Sequence, residues 1–168
     1  MIKKTLYLLA LPLLFTQHSL AEDNTTAKML IGEWHCAQNL TPEKGINLAV
    51  DYVQLFTAQR NFTLDGTMKM EFTVKEMNQM LGGDSLNYLF EGSGSWSVKP
   101  GYLTIKTENA TMKPNSPIAE QLHKAGILDV NKLRDMQSED DFIINKLTQN
   151  SLQLTHTKEK FTTQCSRN

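Results

Sequence analysis

The chain has 168 residues, 40 % hydrophobic and 21 % charged, with nine glycines and five prolines, proportions that exclude disorder and collagen-like repetition and fit a single domain. Its formal charge is -1, and removal of Lys3 and Lys4 with an export leader would leave acidic side chains ahead by three. Such a balance provides no basic field for a nucleic acid.

The first segment in chain order is Leu6 to Phe15, an apolar run preceded by Lys3 and Lys4 and followed by Ser19-Leu20-Ala21. This charged, apolar, small-residue order is that of a secretory signal peptide, so residues 1–21 are expected to be cut off after Ala21, leaving 22–168 as one periplasmic or secreted domain. No later stretch approaches the roughly 20 apolar residues of a membrane span.

Period-two alternation dominates from Met29 onward, the pattern of strands with one buried face. Leu30 to Cys36 reads as the first strand. Asp65-Gly66, within Leu64 to Thr67, reads as a tight hairpin turn joining a second strand, Leu55 to Phe62, to a third in which Met68, Met70, Phe72 and Val74 take alternate places. A fourth runs from Leu86 to Val98, with Gly92 and Gly94 as bending points. Lys99-Pro100-Gly101 then turns the chain into a fifth, Tyr102 to Thr107. Between Pro114 and Asp141 the period changes: Ser116 can cap a helix, Pro117 suits its first turn, and Ile118, Leu122 and Ala125 recur at helical spacing until Gly126. A second short helix is expected after Asp129, with Val130, Leu133 and Met136 on one face, so the helical insert covers about 116–137. Strands resume at Phe142 to Leu147, Leu152 to Thr155 and Phe161 to Cys165.

Cys36 and Cys165 are the two cysteines, and in an exported chain an even pair is most simply one disulfide. It would close a loop of about 130 residues and tie the first strand to the last. Eight hairpin-connected strands bridged from first to last predict an all-β fold, a closed antiparallel up-and-down barrel with a helical insert between strands five and six, wide enough to be filled by side chains or to hold one small ligand, with an open sandwich as the alternative. Antiparallel pairing of Cys36 with Cys165 would also oppose Trp34 to Arg167 on the same face, so a guanidinium should cover the indole and close the barrel's base.

Leu30-Ile31-Gly32-Glu33-Trp34 resembles the Gly-x-Trp signature that opens the lipocalins. Phe62 with Asp65-Gly66-Thr67, and Gly94-Ser95-Trp96 followed by Leu103, are similar to landmarks of bacterial lipocalin-like domains, many of unknown role. The resemblance covers most of residues 30–105. It implies an exported barrel of the lipocalin type and a tryptophan packed beneath a basic side chain from the chain's end. Lipocalins carry their helix after the eighth strand, whereas the helical stretch here falls between the fifth and sixth.

Phe56, Met68, Met70, Phe72, Tyr88, Phe90 and Trp96 form the candidate ligand set, able to line a cavity for an acyl chain, isoprenoid or other flat apolar molecule; the same residues could equally fill a core. Met68, Met70, Met77 and Met80 invite a copper reading, but the first two fall in phase with Phe72 and Val74, so no metal is expected. His35, His123 and His156 are expected to face solvent, Glu139-Asp140-Asp141 reads as a solvated acidic run, and no nucleophile, zinc or phosphate motif occurs, so neither catalysis nor a cofactor is expected. Two functions remain: a binding protein for a small apolar molecule, or an interaction protein such as an inhibitor or accessory factor of an exported enzyme. The second is similar in size, export and barrel form to periplasmic lipocalin-like inhibitors of secreted metalloproteases. A filled barrel with an apolar patch on the insert would favour it.

Overall fold

The computed structural model describes residues 18–81, 83, 85–126 and 138–167. Residues 1–17, and the second helix expected near Val130 to Met136, lie outside them. Eight strands follow one another around a closed, wholly antiparallel barrel: β1 (Gly32–Glu43), β2 (Ile46–Phe56), β3 (Asn61–Phe72), β4 (Leu86–Lys99), β5 (Tyr102–Pro114), β6 (Ser138–Leu147), β7 (Ser151–His156) and β8 (Thr162–Ser166). Three helices accompany them: α1 (His18–Leu30), α2 (Lys75–Met80) between β3 and β4, and α3 (Pro117–Lys124) between β5 and β6. The fold class and the helix between the fifth and sixth strands are those the alternation predicts.

The second and third strands correct the sequence reading. Asp65-Gly66 is no turn: β3 runs straight through it, pairing Asp65 with Val53 and Gly66 with Tyr52. Glycine is needed there for space, since a Cβ would collide with the Asp51 carbonyl and with Tyr52 on β2. The hairpin bends instead at Thr57 to Arg60, where Arg60 takes a positive φ of 66° and its guanidinium lies 4.4 Å from the Trp96 ring centroid. No residue of that turn is a usual turn former, so it leaves little trace in composition. Consequently β2 lies at 46–56, with Ile46, Leu48, Val50, Tyr52, Gln54 and Phe56 on its inner face.

Ser116 caps α3 as its sequence implies, its Oγ accepting from the Ala119 N–H at 3.4 Å. The register of β4 on β5 shifts between Ser93 and Gly94, with Glu108 the extra residue on β5, opposite the predicted glycines.

Two apolar clusters occupy the interior. The lower one joins Trp34, Phe56, Phe62, Trp96, Leu103, Leu152 and the bridged cysteines with Ala27 and Leu30 of α1. The upper one joins Leu86 and Tyr88 with Ala119, Ile118 and Leu122 of α3 and with Met68, Met70, Phe72 and Met112. Cys36 and Cys165 are directly opposed across β1–β8 and form the disulfide.

The ring is uneven in height. β1 to β5 have 11 to 14 residues, whereas β7 has six and β8 five. β8 reaches β1 only at positions 35–37, and β6 pairs β5 only over 102–107. Among the described residues, β1 to β5 therefore rise above the closed ring as a curved sheet with a concave inner face.

Candidate ligand-binding trough

At the base, Trp34 is fully buried and donates its indole N–H to the Leu30 carbonyl at 2.8 Å. The Arg167 Cζ stands 3.8 Å from its ring centroid. The same guanidinium donates from Nη2 to the carbonyls of Met29, Leu30 and Ile31 at 2.9, 3.0 and 2.7 Å, acceptors that the end of α1 leaves without helical partners. Gly32, at φ 119°, lets the chain turn from α1 into β1 while leaving van der Waals room for that guanidinium. α1 itself is unannounced in the sequence, because only Ala27 and Leu30 of its described side chains are buried and two positions make no periodic face.

Burial falls off along β1, β2, β3 and β5 from this floor upward. On β2, Phe56 and Gln54 are buried whereas Tyr52, Val50, Leu48 and Ile46 are only half-buried; on β3, Phe62 is buried whereas Leu64, Met68, Met70 and Phe72 are not. All of these point inward, because they alternate with exposed residues and pair with one another across β2–β3: Val50 with Met68, Leu48 with Met70, Ile46 with Phe72. Water still reaches these inward side chains, so the upper interior is less closely covered than the floor. On the β4–β5 side α3 covers this space, and there Leu86 and Tyr88 are buried.

The seven predicted ligand residues thus divide. Phe56 and Trp96 pack edge to face with centroids 5.3 Å apart and form the floor. Met68, Met70, Phe72 and Tyr88 come together as the wall beneath α3. Phe90 lies between them, 6.1 Å from the Tyr52 ring. Sequence reasoning missed Leu40, Ile46, Leu48, Val50 and Met112, although the alternation from Ile46 to Phe56 was readable once Asp65-Gly66 was not taken for a turn. The side chains of Met77 and Met80 lie outside the described set.

Polar groups cross the trough's lower end. Thr163 donates to the Gln38 Oε1 at 2.6 Å and is hydrogen-bonded to the Tyr52 hydroxyl. Burial pushes the Tyr52 pKa up to about 12, outweighing that hydrogen bond. Since the folded state holds this proton above the ordinary value of 10.0, its stability contribution is intact below pH 10 and is lost as pH rises toward 12. The loss should reach on the order of 2 kcal/mol. Tyr88, raised by burial as well, acts in the same direction. Urea midpoints at pH 8 and 11.5 check this: Tyr52→Phe should flatten the alkaline decline, and an unchanged decline would contradict the assignment.

His156 corrects the expectation of a solvated histidine. It is 6 % exposed, stacked on Phe161 and met edge-on by Phe142. Its Nδ1 accepts from the Glu159 N–H at 2.9 Å and its Nε2 lies 3.2 Å from Asp140, an arrangement that puts the neutral ring's proton on Nε2. The acidic run is therefore not wholly solvated: Asp140 turns inward to this pair. His35 faces outward, 3.2 Å from Glu33. His123, on α3, is half-buried.

An open groove of about 800 Å³ also lies on the outer wall, bordered by His35, Asp51, Asp65, Lys146, Gln153 and Gln164. Its lining mixes polar side chains with apolar surface on the outer strand faces, apart from the inward apolar row. Among the described residues no group of histidine, cysteine and acidic side chains could hold a metal ion, and no helix is long and apolar enough to cross a membrane. No protein-family model matches the chain, and no curated protein matches it.

Proposed function

We propose that this is an exported, non-catalytic binding protein, a lipocalin-like barrel that holds a small apolar molecule in the trough between β1–β5 and α3. One observation carries the reading: apolar side chains that alternation and register direct inward, from Leu48 and Val50 through Met68 and Met70, stay half-buried. Apolar surface left in contact with water inside a barrel gains about 25 cal/mol per Å² when a guest covers it. Methionines suit a guest of irregular shape. The leader-like start and the disulfide support export to an oxidising compartment. The interaction-protein alternative called for a filled barrel and an apolar patch on the insert; the half-buried trough, and the inward packing of Ile118 and Leu122, support the binding reading over it.

The test is titration with N-phenyl-1-naphthylamine, an uncharged dye that fluoresces in apolar surroundings. Saturable binding is expected, weakened about tenfold or more by Met70→Trp, which fills the trough. Circular dichroism and melting temperature show whether the variant folds. No binding by the folded wild-type protein would overturn the proposal, as would unimpaired binding by folded Met70→Trp.

A further inference from the structure

The trough's polar groups define the other end of its guest. Its inner face rises through apolar side chains, Leu48, Val50, Met68 and Met70 among them, and its lower end carries Gln38, Tyr52 and Thr163. No lysine or arginine of β1 to β5 falls on this inner face; Lys69, Lys106 and Lys113 are exposed on the outer face. The acid nearest the floor, Asp140, already faces His156. With its oxygen engaged by Thr163, Gln38 has its amide NH₂ left to donate. Across β2 and β3, in the same inward row as Gln38, Val50 and Met68, stands Tyr88. Its hydroxyl is buried with no hydrogen-bond partner among the described residues. An orphaned buried hydroxyl costs folding free energy, and a bound acceptor would relieve that cost.

We infer that the trough's guest is an electroneutral amphiphile, a long-chain alcohol, ester or ketone, whose polar head enters the barrel and hydrogen-bonds with Gln38 and Tyr88, and that fatty-acid anions are excluded. The inference rests on the trough being the binding site. A carboxylate carried to this depth would lose its hydration without meeting a cation among the described residues, whereas a hydroxyl or carbonyl exchanges its water for donors already in place. Reaching Tyr88 requires Ile118 and Leu122 of α3, which pack over it, to give way. Among the described residues a fatty-acid head would find its cations at the mouth, where Lys44 and Lys75 are exposed, and the experiment distinguishes that arrangement.

Dodecan-1-ol and dodecanoate are compared at pH 8 as competitors of N-phenyl-1-naphthylamine, on the wild type and on Tyr88→Phe and Gln38→Leu. Dodecanol should displace the dye at concentrations at least about tenfold below those of dodecanoate. Each substitution should weaken dodecanol several-fold more than it alters the dye, as read from the dodecanol displacement constant corrected for each variant's own dye affinity. Tyr88→Phe, which deletes the orphaned hydroxyl, should also leave the unliganded protein as stable as the wild type or more so. Equal displacement by the carboxylate, or dodecanol binding untouched by both substitutions, would overturn the inference and leave the trough standing. Failure of the dye itself to bind would remove the binding reading and this inference together.

Discussion

Replacing Cys36 and Cys165 with alanine should lower the unfolding free energy by about 3–5 kcal/mol and the melting temperature by roughly 10 °C or more. The bridge spans 129 residues of sequence, so cutting it frees nearly the whole described chain in the unfolded state. A second reason is local. β8 has five residues and meets β1 at three positions, His35 to Ala37 against Gln164 to Ser166. Three register pairs are a short seam for a closed barrel, and the bridge lies at its middle. Loss should therefore appear first as faster amide exchange at this seam, with the β2–β3–β4 wall protected longer. Urea unfolding with exchange read by mass spectrometry tests both parts. A loss below about 1 kcal/mol, or uniform loosening of every strand, would contradict them.

Arg167→Leu is expected to cost about 2–4 kcal/mol, the larger share because the carbonyls of Met29 and Ile31 lose the guanidinium donor and that of Leu30 keeps only the Trp34 indole N–H. The remainder is the cation held over Trp34. Burial lowers the Arg167 pKa, yet a guanidinium stays charged at any pH the fold survives. Arg167→Lys should recover less than half of the loss, since an ammonium cannot lie flat on an indole while reaching several carbonyls. The effect should be polarised: α1 undocks, and far-ultraviolet helical signal falls before the barrel melts. If Arg167→Leu melts with the wild type and keeps its α1 protected from exchange, the guanidinium does not hold the base.

These two features were also the most legible in the sequence, because each needs only parity and a fixed pairing. Once Cys36 is set against Cys165, antiparallel register places Trp34 against Arg167 without knowledge of the strands between. The barrel's class, its eight strands and the cap at Ser116 followed likewise from alternation and local chemistry. Three things were hidden for identifiable reasons. Gly66 serves a close approach between strands, and in sequence Asp65-Gly66 looks identical to a hairpin turn. The true turn at Thr57 to Arg60 takes its positive φ at an arginine held over Trp96, a tertiary contact that composition does not announce. The burial of His156 depends on Phe142 and Phe161 from neighbouring strands, which a chain-order reading assigns to solvent. The candidate ligand set was half legible, since inward parity marked Met68, Met70, Phe72 and Tyr88. The contrast between a buried floor and half-buried upper strands could not be read, because it goes with unequal strand lengths.

The central claim is that an apolar molecule occupies the upper interior and not the outer groove or the packed base. Carbon-13 labelling of methionine methyl groups tests it directly, since Met68, Met70 and Met112 line the trough while Met29 lies at the base against Arg167. At saturating N-phenyl-1-naphthylamine the account predicts large methyl shifts and dye-to-methyl nuclear Overhauser effects at Met68, Met70 and Met112, with Met29 unmoved. Binding that leaves those three signals in place, or that moves Met29 alone, would contradict it.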